Sequence, residues 1–146
     1  MMDIKNFVTY EQALTLKKLG FREKCLYYYF NRALYPNDVY AHRIDRNSFH
    51  RRYNVESLGK VRNIAKEPLV CDAPTLSQAQ KWLIKEKKYY VNPDADVSES
   101  WLWVIVNLRN SDLICMWNQT NQPTHYNTYE EALSAGITKC LKILNE

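Results

Sequence analysis

Residues 101–108 read WLWVIVNL and contain the longest apolar run of the chain, 101–106. Side chains of a strand alternate between its two faces, so a run that is apolar at every position predicts a central strand covered on both faces. The NSD sequence at 110–112 is typical of a tight turn, and LICMW at 113–117 predicts the returning strand. These residues therefore predict an antiparallel hairpin in the middle of a sheet.

A helix is predicted after this hairpin, because apolar residues recur at helical spacing through the C-terminal segment. The apolar stripe consists of Tyr129, Ala132, Leu133, Gly136, Cys140, Ile143 and Leu144. A glycine in mid-helix costs helix stability, so Gly136 is expected to let the helix approach the sheet closely.

Three threonines, Thr9, Thr75 and Thr128, each precede a Gln or Glu by three positions and an Ala by four. This is the pattern of a capping box, in which the Thr side chain accepts from a backbone N–H of the first helical turn. We therefore predict three helix starts, with unequal spacings that favour convergence over a true repeat. The first helix is expected to end at Gly20, and the second to run from about 76 to 87.

Aromatic and β-branched residues predict the remaining strands. One strand covers 26–30, with 39–44 as its partner across a turn at 35–38, and a short strand at 89–91 ends at Pro93. The fold class is α+β, a mainly antiparallel sheet with about three helices in the order α-β-β-α-β-β-β-α and the helices on one face. Residues 1–146 are predicted to form a single domain, whose halves would be 1–70 and 71–146.

The amino-acid composition of the chain excludes several classes of function. Three glycines, far apart, cannot build a phosphate-cradling loop, and residues 1–7 lack the pattern of a cleavable leader. The longest apolar run is far shorter than a membrane span, so no membrane partner is expected. The four cysteines (Cys25, Cys71, Cys115 and Cys140) show no paired spacing and are expected to be reduced and mostly buried. We expect no cofactor, no metal site and a cytoplasmic location.

The positive charge of the chain is concentrated in residues 40–66, which carry seven basic and two acidic side chains, whereas the whole chain has a net charge of +4. Arginines interleaved with aromatic residues are a composition that nucleic-acid contacts use. The candidate nucleic-acid or anion contacts are Arg43, Arg46, His50, Arg51, Arg52 and Arg62. The alternative is a solvated segment that binds nothing.

A second candidate surface is aromatic. It consists of Tyr27, Tyr29, Trp101, Trp103 and Trp117, which would be exposed together if one face of the sheet is uncovered. Because indole N–H groups need hydrogen-bond partners, these tryptophans are expected near an edge or a pocket. The alternative is that they pack in the core.

No catalytic constellation stands out. The three histidines (His42, His50 and His125) have no acidic or cysteine neighbour at a spacing that suggests a dyad. Asp94, Asp96 and Glu99 cluster in a predicted loop that lacks the glycine and ligand count of a calcium site, which favours a solvated turn. We therefore expect no catalytic residues and no enzymatic activity.

The helix starts, taken together with LGF at 19–21 and the APTL and QKWL sequences at 73–76 and 80–83, resemble a group of small uncharacterised proteins encoded by gut bacteria and their phages or prophages. The resemblance fails between about 31 and 69, and it implies a cytoplasmic accessory protein that acts by binding. The expected function is therefore non-enzymatic binding of another macromolecule, a protein or a second copy first. A nucleic-acid-binding accessory protein is the alternative, and an enzyme of unknown class is the second alternative.

Overall fold

The computed structural model describes residues 4–36, 70–96, 99–116 and 125–146. Contacts divide the chain into two compact units, Thr9–Pro74 and a second unit formed by Met1–Val8 with Thr75–Glu146. Each unit has its own three-stranded antiparallel sheet, and the α+β class is confirmed. The prediction that the chain is a single domain stays a prediction.

Helix α1, Tyr10–Lys18, begins with the predicted capping box. The Gln12 N–H donates to Thr9 Oγ1 at 3.1 Å, and the Thr9 N–H donates to Gln12 Oε1 at 2.7 Å. The helix ends as predicted, because Gly20 adopts a left-handed φ of +103°. The N–H groups of Gly20 and Phe21 then donate to the carbonyls of Lys17 and Leu16, which closes a Schellman motif over the buried Phe21 ring.

Strands β1 (Tyr27–Phe30) and β2 (Ala33–Pro36) form a hairpin whose turn lies earlier than predicted. Its two turn residues, Asn31 and Arg32, both have positive φ, as in a type I′ turn. Tyr35 and Pro36 lie in β2, so the turn predicted at 35–38 is wrong. The primed two-residue turn follows the right-handed twist of the strands, which lets the Tyr28 and Tyr35 rings stack at 5.9 Å. The predicted partner strand at 39–44 lies outside the described residues.

Strand β3, Val70–Ala73, pairs with the other side of β1, and the sheet order is β2-β1-β3. This strand was not predicted from the sequence, because four residues interrupted by Asp72 give no clear alternation. Helix α1 packs against the sheet, where the Tyr10 ring meets the Tyr29 ring edge-on at 5.7 Å. Because β1 is central, both Tyr28 and Tyr29 are buried.

In the second unit, helix α2 (Leu76–Trp82) begins at the predicted Thr75 cap and continues as a π-helical turn, Leu83–Lys87. It leads into the sheet of β4 (Tyr89–Ala95), β5 (Trp101–Asn107) and β6 (Leu113–Cys115), with β5 in the centre. The hairpin predicted from 101–117 is confirmed for β5 and β6. Helix α3, Tyr129–Leu144, begins at the Thr128 cap and packs on β4 and β5.

Strand β4 does not end at Pro93, contrary to the sequence prediction. The Leu108 N–H donates to the carbonyl of Lys88, the residue before β4, so Tyr90, Asn92 and Asp94 are the residues of β4 whose backbone groups face β5. Pro93 is out of phase with that set, and its missing N–H therefore faces away from β5. A proline is tolerated in a strand at this kind of position.

Gly136 confirms the predicted close approach of α3 to the sheet. A Cβ at this position would lie 2.7 Å from Val91 Cγ1 and 3.0 Å from Trp103 Cβ. Trp103 is 0% exposed, and its Nε1 has no hydrogen-bond partner within the described parts of the chain. Trp103 therefore packs in the core, with α3 close against it, and the expectation that it lies near an edge or a pocket is wrong.

Candidate binding surface

The basic residues predicted as nucleic-acid contacts lie outside the described residues. They are Arg43, Arg46, His50, Arg51, Arg52 and Arg62. The nucleic-acid alternative therefore stays a prediction from the sequence.

The five aromatic residues predicted as a contact patch fall into different environments. Tyr29 and Trp103 are buried, which corresponds to the core alternative. Tyr27 and Trp101 are half-buried and belong to different compact units, and Trp101 meets the Tyr129 ring edge-on at 5.4 Å. Trp117 lies outside the described residues. An aromatic patch of these five residues remains a prediction.

The structure brings together a different set of apolar side chains, on the face of the β4-β5-β6 sheet that points away from α3. Val91 and Trp103 point to the helix, so the alternate positions point to the opposite face, which we call the outer face. Three cross-strand rows occupy it in the observed register. These rows are Tyr90–Val106–Leu113, Asn92–Val104–Cys115 and Asp94–Leu102.

The outer face is most open beside the turn that joins β5 to β6. Leu113 is 58% exposed, Leu108 is 48% exposed and Tyr90 is 37% exposed, and they surround the half-buried Val106. Cys115, on the same face, is buried. The apolar surface therefore runs from Leu113 across β5 to Tyr90, and contiguous surfaces of this kind are typical of protein contacts.

Charged residues lie near both ends of the sheet. Lys88 lies just before β4 in a left-handed conformation, and Arg109 and Asp112 lie in the β5–β6 turn. Asp94 lies at the other end of β4, and Asp96 and Glu99 follow it in the β4–β5 loop. No ion pair joins Lys88 or Asp94 to another residue of the described ranges. The predicted acidic cluster therefore lies at the end of β4 and in the loop that follows it.

The free edge of β4 is partly blocked. Val91 directs its carbonyl away from β5, and this oxygen accepts from Gln80 Nε2 of α2 at 2.6 Å. Pro93, two residues along the same edge, has no N–H to donate. A proline and a capped carbonyl are two devices that keep another strand from adding to an edge.

Two buried cysteine thiols, those of Cys71 and Cys140, are not activated as nucleophiles. Burial raises the pKa of the Cys140 thiol to about 12. Burial also raises the pKa of the Cys71 thiol to about 11, although the Lys17 ammonium acts in the opposite direction. Both thiols therefore stay protonated near neutral pH. None of the four cysteines, all within the described residues, forms a disulfide, and three are buried as the sequence predicts.

The described part of the chain has neither a cluster of metal-binding side chains nor a helix that could span a membrane. It contains no group of three or more His, Cys, Asp or Glu side chains placed to hold a metal ion. In the same residues, no helix has the length and apolar character needed to cross a membrane.

The outer face was only partly foreseen in the sequence. The apolar positions Leu102, Val104 and Val106 were interpreted as a strand covered on both faces, whereas α3 covers only the opposite side of β5. The signal that could have located the surface is Tyr90 and Leu113, which flank Val106 once the two hairpins are in register.

Comparison with known proteins does not assign the chain to a family. No protein-family model, curated protein or solved structure matches the chain.

Proposed function

We propose that this chain is a non-enzymatic, cytoplasmic accessory protein that acts by binding another protein through the outer face of the β4-β5-β6 sheet. The observation that carries the proposal is the exposed apolar surface of Tyr90, Leu108 and Leu113 around Val106. Large apolar side chains clustered on one sheet face, with charges at both ends, match the apolar centre and polar rim of protein interfaces. Four cysteines without a disulfide support a reducing compartment.

Leu113 is the most direct place to test the proposal. Because this side chain is 58% exposed, Leu113→Asp should leave the fold intact while placing a charge on the apolar surface, directly beside Val106. We expect the variant to bind its partner at least about tenfold more weakly, since a buried charge without a partner is costly in an apolar interface. The tagged full-length chain would capture partners from cell extract, and titration calorimetry with the purified partner would give the affinity.

The matched control is Leu26→Asp, because Leu26 is 55% exposed and lies before β1, away from the outer face. The control should bind like the wild type. Equal binding of the purified partner by Leu113→Asp and by the wild type would contradict the proposed site.

A further inference from the structure

The sheet of the unit Thr9–Pro74 has a face that points away from α1. Tyr29 meets the Tyr10 ring of α1, so the alternate positions of β1 point to the opposite side, which we call the far face. In the observed register, its larger side chains are those of Tyr28, Phe30, Tyr35, Val70 and Asp72. Tyr28 is 7% exposed and Val70 is 8% exposed, although α1 lies on the other side of the sheet. A face with such buried side chains has an occupant.

We propose that the occupant of the far face is the segment of this chain that joins β2 to β3, residues 37–69. The strands β2 and β3 lie on either side of β1 and are both antiparallel to it, so they are parallel to each other. A connection between parallel strands of one sheet crosses a face and needs at least about a dozen residues, which 37–69 supplies. The inference does not depend on the proposed function, because the two surfaces belong to different compact units.

The ends of the connection require it to cross the sheet. Pro36 pairs with Tyr27, and Val70 pairs with Phe30, so the connection begins and ends at diagonally opposite corners. Helix α1 occupies one of the two routes between these corners. It packs on the face that carries Tyr29, and its Lys17 Nζ donates to the Val70 carbonyl at 3.0 Å. The far face is therefore the open route.

The handedness of the connection selects the same face. Phe30 and Ala33 flank the two-residue turn as a hydrogen-bonded pair, so Tyr28 and Phe30 direct their backbone groups toward β2. For L-amino acids, this places β2 on the right of β1 when the far face is viewed with β1 pointing up. A connection from β2 to β3 is then right-handed if it crosses the far face and left-handed if it crosses the side of α1. Connections between parallel strands are right-handed in about 98% of cases.

The composition of the connecting segment matches the chemistry of the far face. Residues 40–66 carry seven basic and two acidic side chains. The far face offers the carboxylate of Asp72 and a group of aromatic rings, in which Tyr35 stacks on Tyr28 at 5.9 Å and meets Phe30 at 6.5 Å. Arginine side chains pair with carboxylates and stack on aromatic rings. A basic segment is therefore a suitable occupant.

Occupation of the far face distinguishes the two sheets of the protein. The β2-β1-β3 sheet is then covered on both faces, by α1 and by residues 37–69. The outer face of the β4-β5-β6 sheet keeps Tyr90 and Leu113 exposed. A partner protein therefore finds an open sheet face on the second unit and none on the first.

Photocrosslinking of the full chain tests which segment covers the far face. Phe30 and Tyr27 are both half-buried in β1 and point to opposite faces, so each is replaced in turn by the photoreactive p-benzoylphenylalanine. We expect the probe at Phe30 to form intramolecular crosslinks with residues 40–66, as mapped by mass spectrometry. The matched control at Tyr27 should crosslink outside 40–66, because it faces the side of α1.

Crosslinks from the Phe30 probe that go only to α1, only to a second molecule, or nowhere within 40–66 would overturn the inference. The same conclusion would follow if the Tyr27 probe reached 40–66 as often as the Phe30 probe.

Limited proteolysis measures how firmly the segment is held. Tyr35 is 45% exposed, so Tyr35→Ser should leave the sheet folded while removing one ring of the far face. The loss of that contact should raise the initial rate of tryptic cleavage within 37–69 about fivefold, since cleavage follows the population of the undocked segment. The control Tyr90→Ser removes a ring that is 37% exposed in the other unit, and it should cleave like the wild type. Equal cleavage rates in the two variants would count against docking on the far face.

Discussion

Gly136 determines how closely α3 approaches the sheet of its unit. The absence of a side chain lets the helix backbone contact Val91 and Trp103, which are both fully buried. A glycine in mid-helix costs about 1 kcal/mol relative to alanine. The close approach offsets this cost through the packing of α3 against Val91 and Trp103.

Gly136→Ala should therefore destabilise the protein, although alanine is the better helix former. The added Cβ would lie 2.7 Å from Val91 Cγ1, so the core must shift. Overpacking of this kind costs about 1 to 3 kcal/mol, of which better helix propensity offsets about 1 kcal/mol. Urea unfolding measures the difference.

The control for Gly136→Ala is the double variant Gly136→Ala/Val91→Ala. Removing the Val91 methyl groups makes room for the new Cβ, so the double variant should be more stable than the two single effects added together. Strict additivity would show that the Val91 methyl groups are not what the new Cβ meets.

At the scale of elements, the β1–β2 hairpin combines a strained turn with compensating contacts. Arg32 has φ of +69°, a conformation that costs a non-glycine residue about 1 kcal/mol. Its guanidinium carbon lies 4.7 Å from the Tyr10 ring centroid, and its Nη1 lies 3.4 Å from Glu11 Oε1. The ion pair is exposed and adds little, so the cation–π contact is the main compensation.

Two substitutions at Arg32 separate the strain from the contact. Arg32→Ala loses the Tyr10 contact and keeps the strain, and it should cost about 1 kcal/mol of unfolding free energy. Arg32→Gly loses the same contact but relieves the strain, so its stability should be close to that of the wild type. Thermal unfolding of both variants provides the comparison, and equal losses would mean that the turn is not strained.

At the scale of the whole molecule, each compact unit contains a buried thiol with a raised pKa. These are Cys71 in one unit and Cys140 in the other, with pKa values raised from 9.0 to about 11 and about 12. The folded state holds these protons more tightly than the unfolded state. The associated stability is therefore complete below pH 9 and is lost as the pH rises toward the folded pKa values.

Alkaline conditions should therefore destabilise the protein. Each buried thiol contributes a loss of about 1 kcal/mol per pH unit above its unfolded pKa. Burial also raises the pKa of Tyr29 and Tyr126, which adds a decrease in the same direction at higher pH. Cys140→Ala isolates one thiol, and its unfolding free energy should fall less steeply than that of the wild type between about pH 8 and pH 10. If the unfolding free energies of Cys140→Ala and the wild type fell equally steeply with pH, the buried Cys140 thiol would not be a cause of the alkaline destabilisation.

Local signals in the sequence were sufficient to predict where the helices begin. Thr9, Thr75 and Thr128 cap them as predicted, and Gly20 ends α1, because capping depends on hydrogen bonds within a few residues of the chain. The β5–β6 hairpin was equally predictable, since its apolar strands flank a short polar turn.

The strands with weak or misleading local signals were not predictable. Strand β3 is stabilised by its pairing with β1, which is distant in sequence, and the β1–β2 turn depends on left-handed residues that the sequence does not mark with glycine. The predicted strand end at Pro93 is wrong, because whether its nitrogen faces a neighbouring strand or a free edge depends on register.

The sequence by itself determined the α+β class, the helix boundaries and the close approach at Gly136, because these follow from interactions between near neighbours and from side-chain size. Only the tertiary structure decided which face of β5 is covered. The identity of an apolar residue does not show whether a helix packs on its side chain or solvent reaches it. The outer face, with Tyr90, Leu108 and Leu113 exposed, exists only once three separate strands are placed in register.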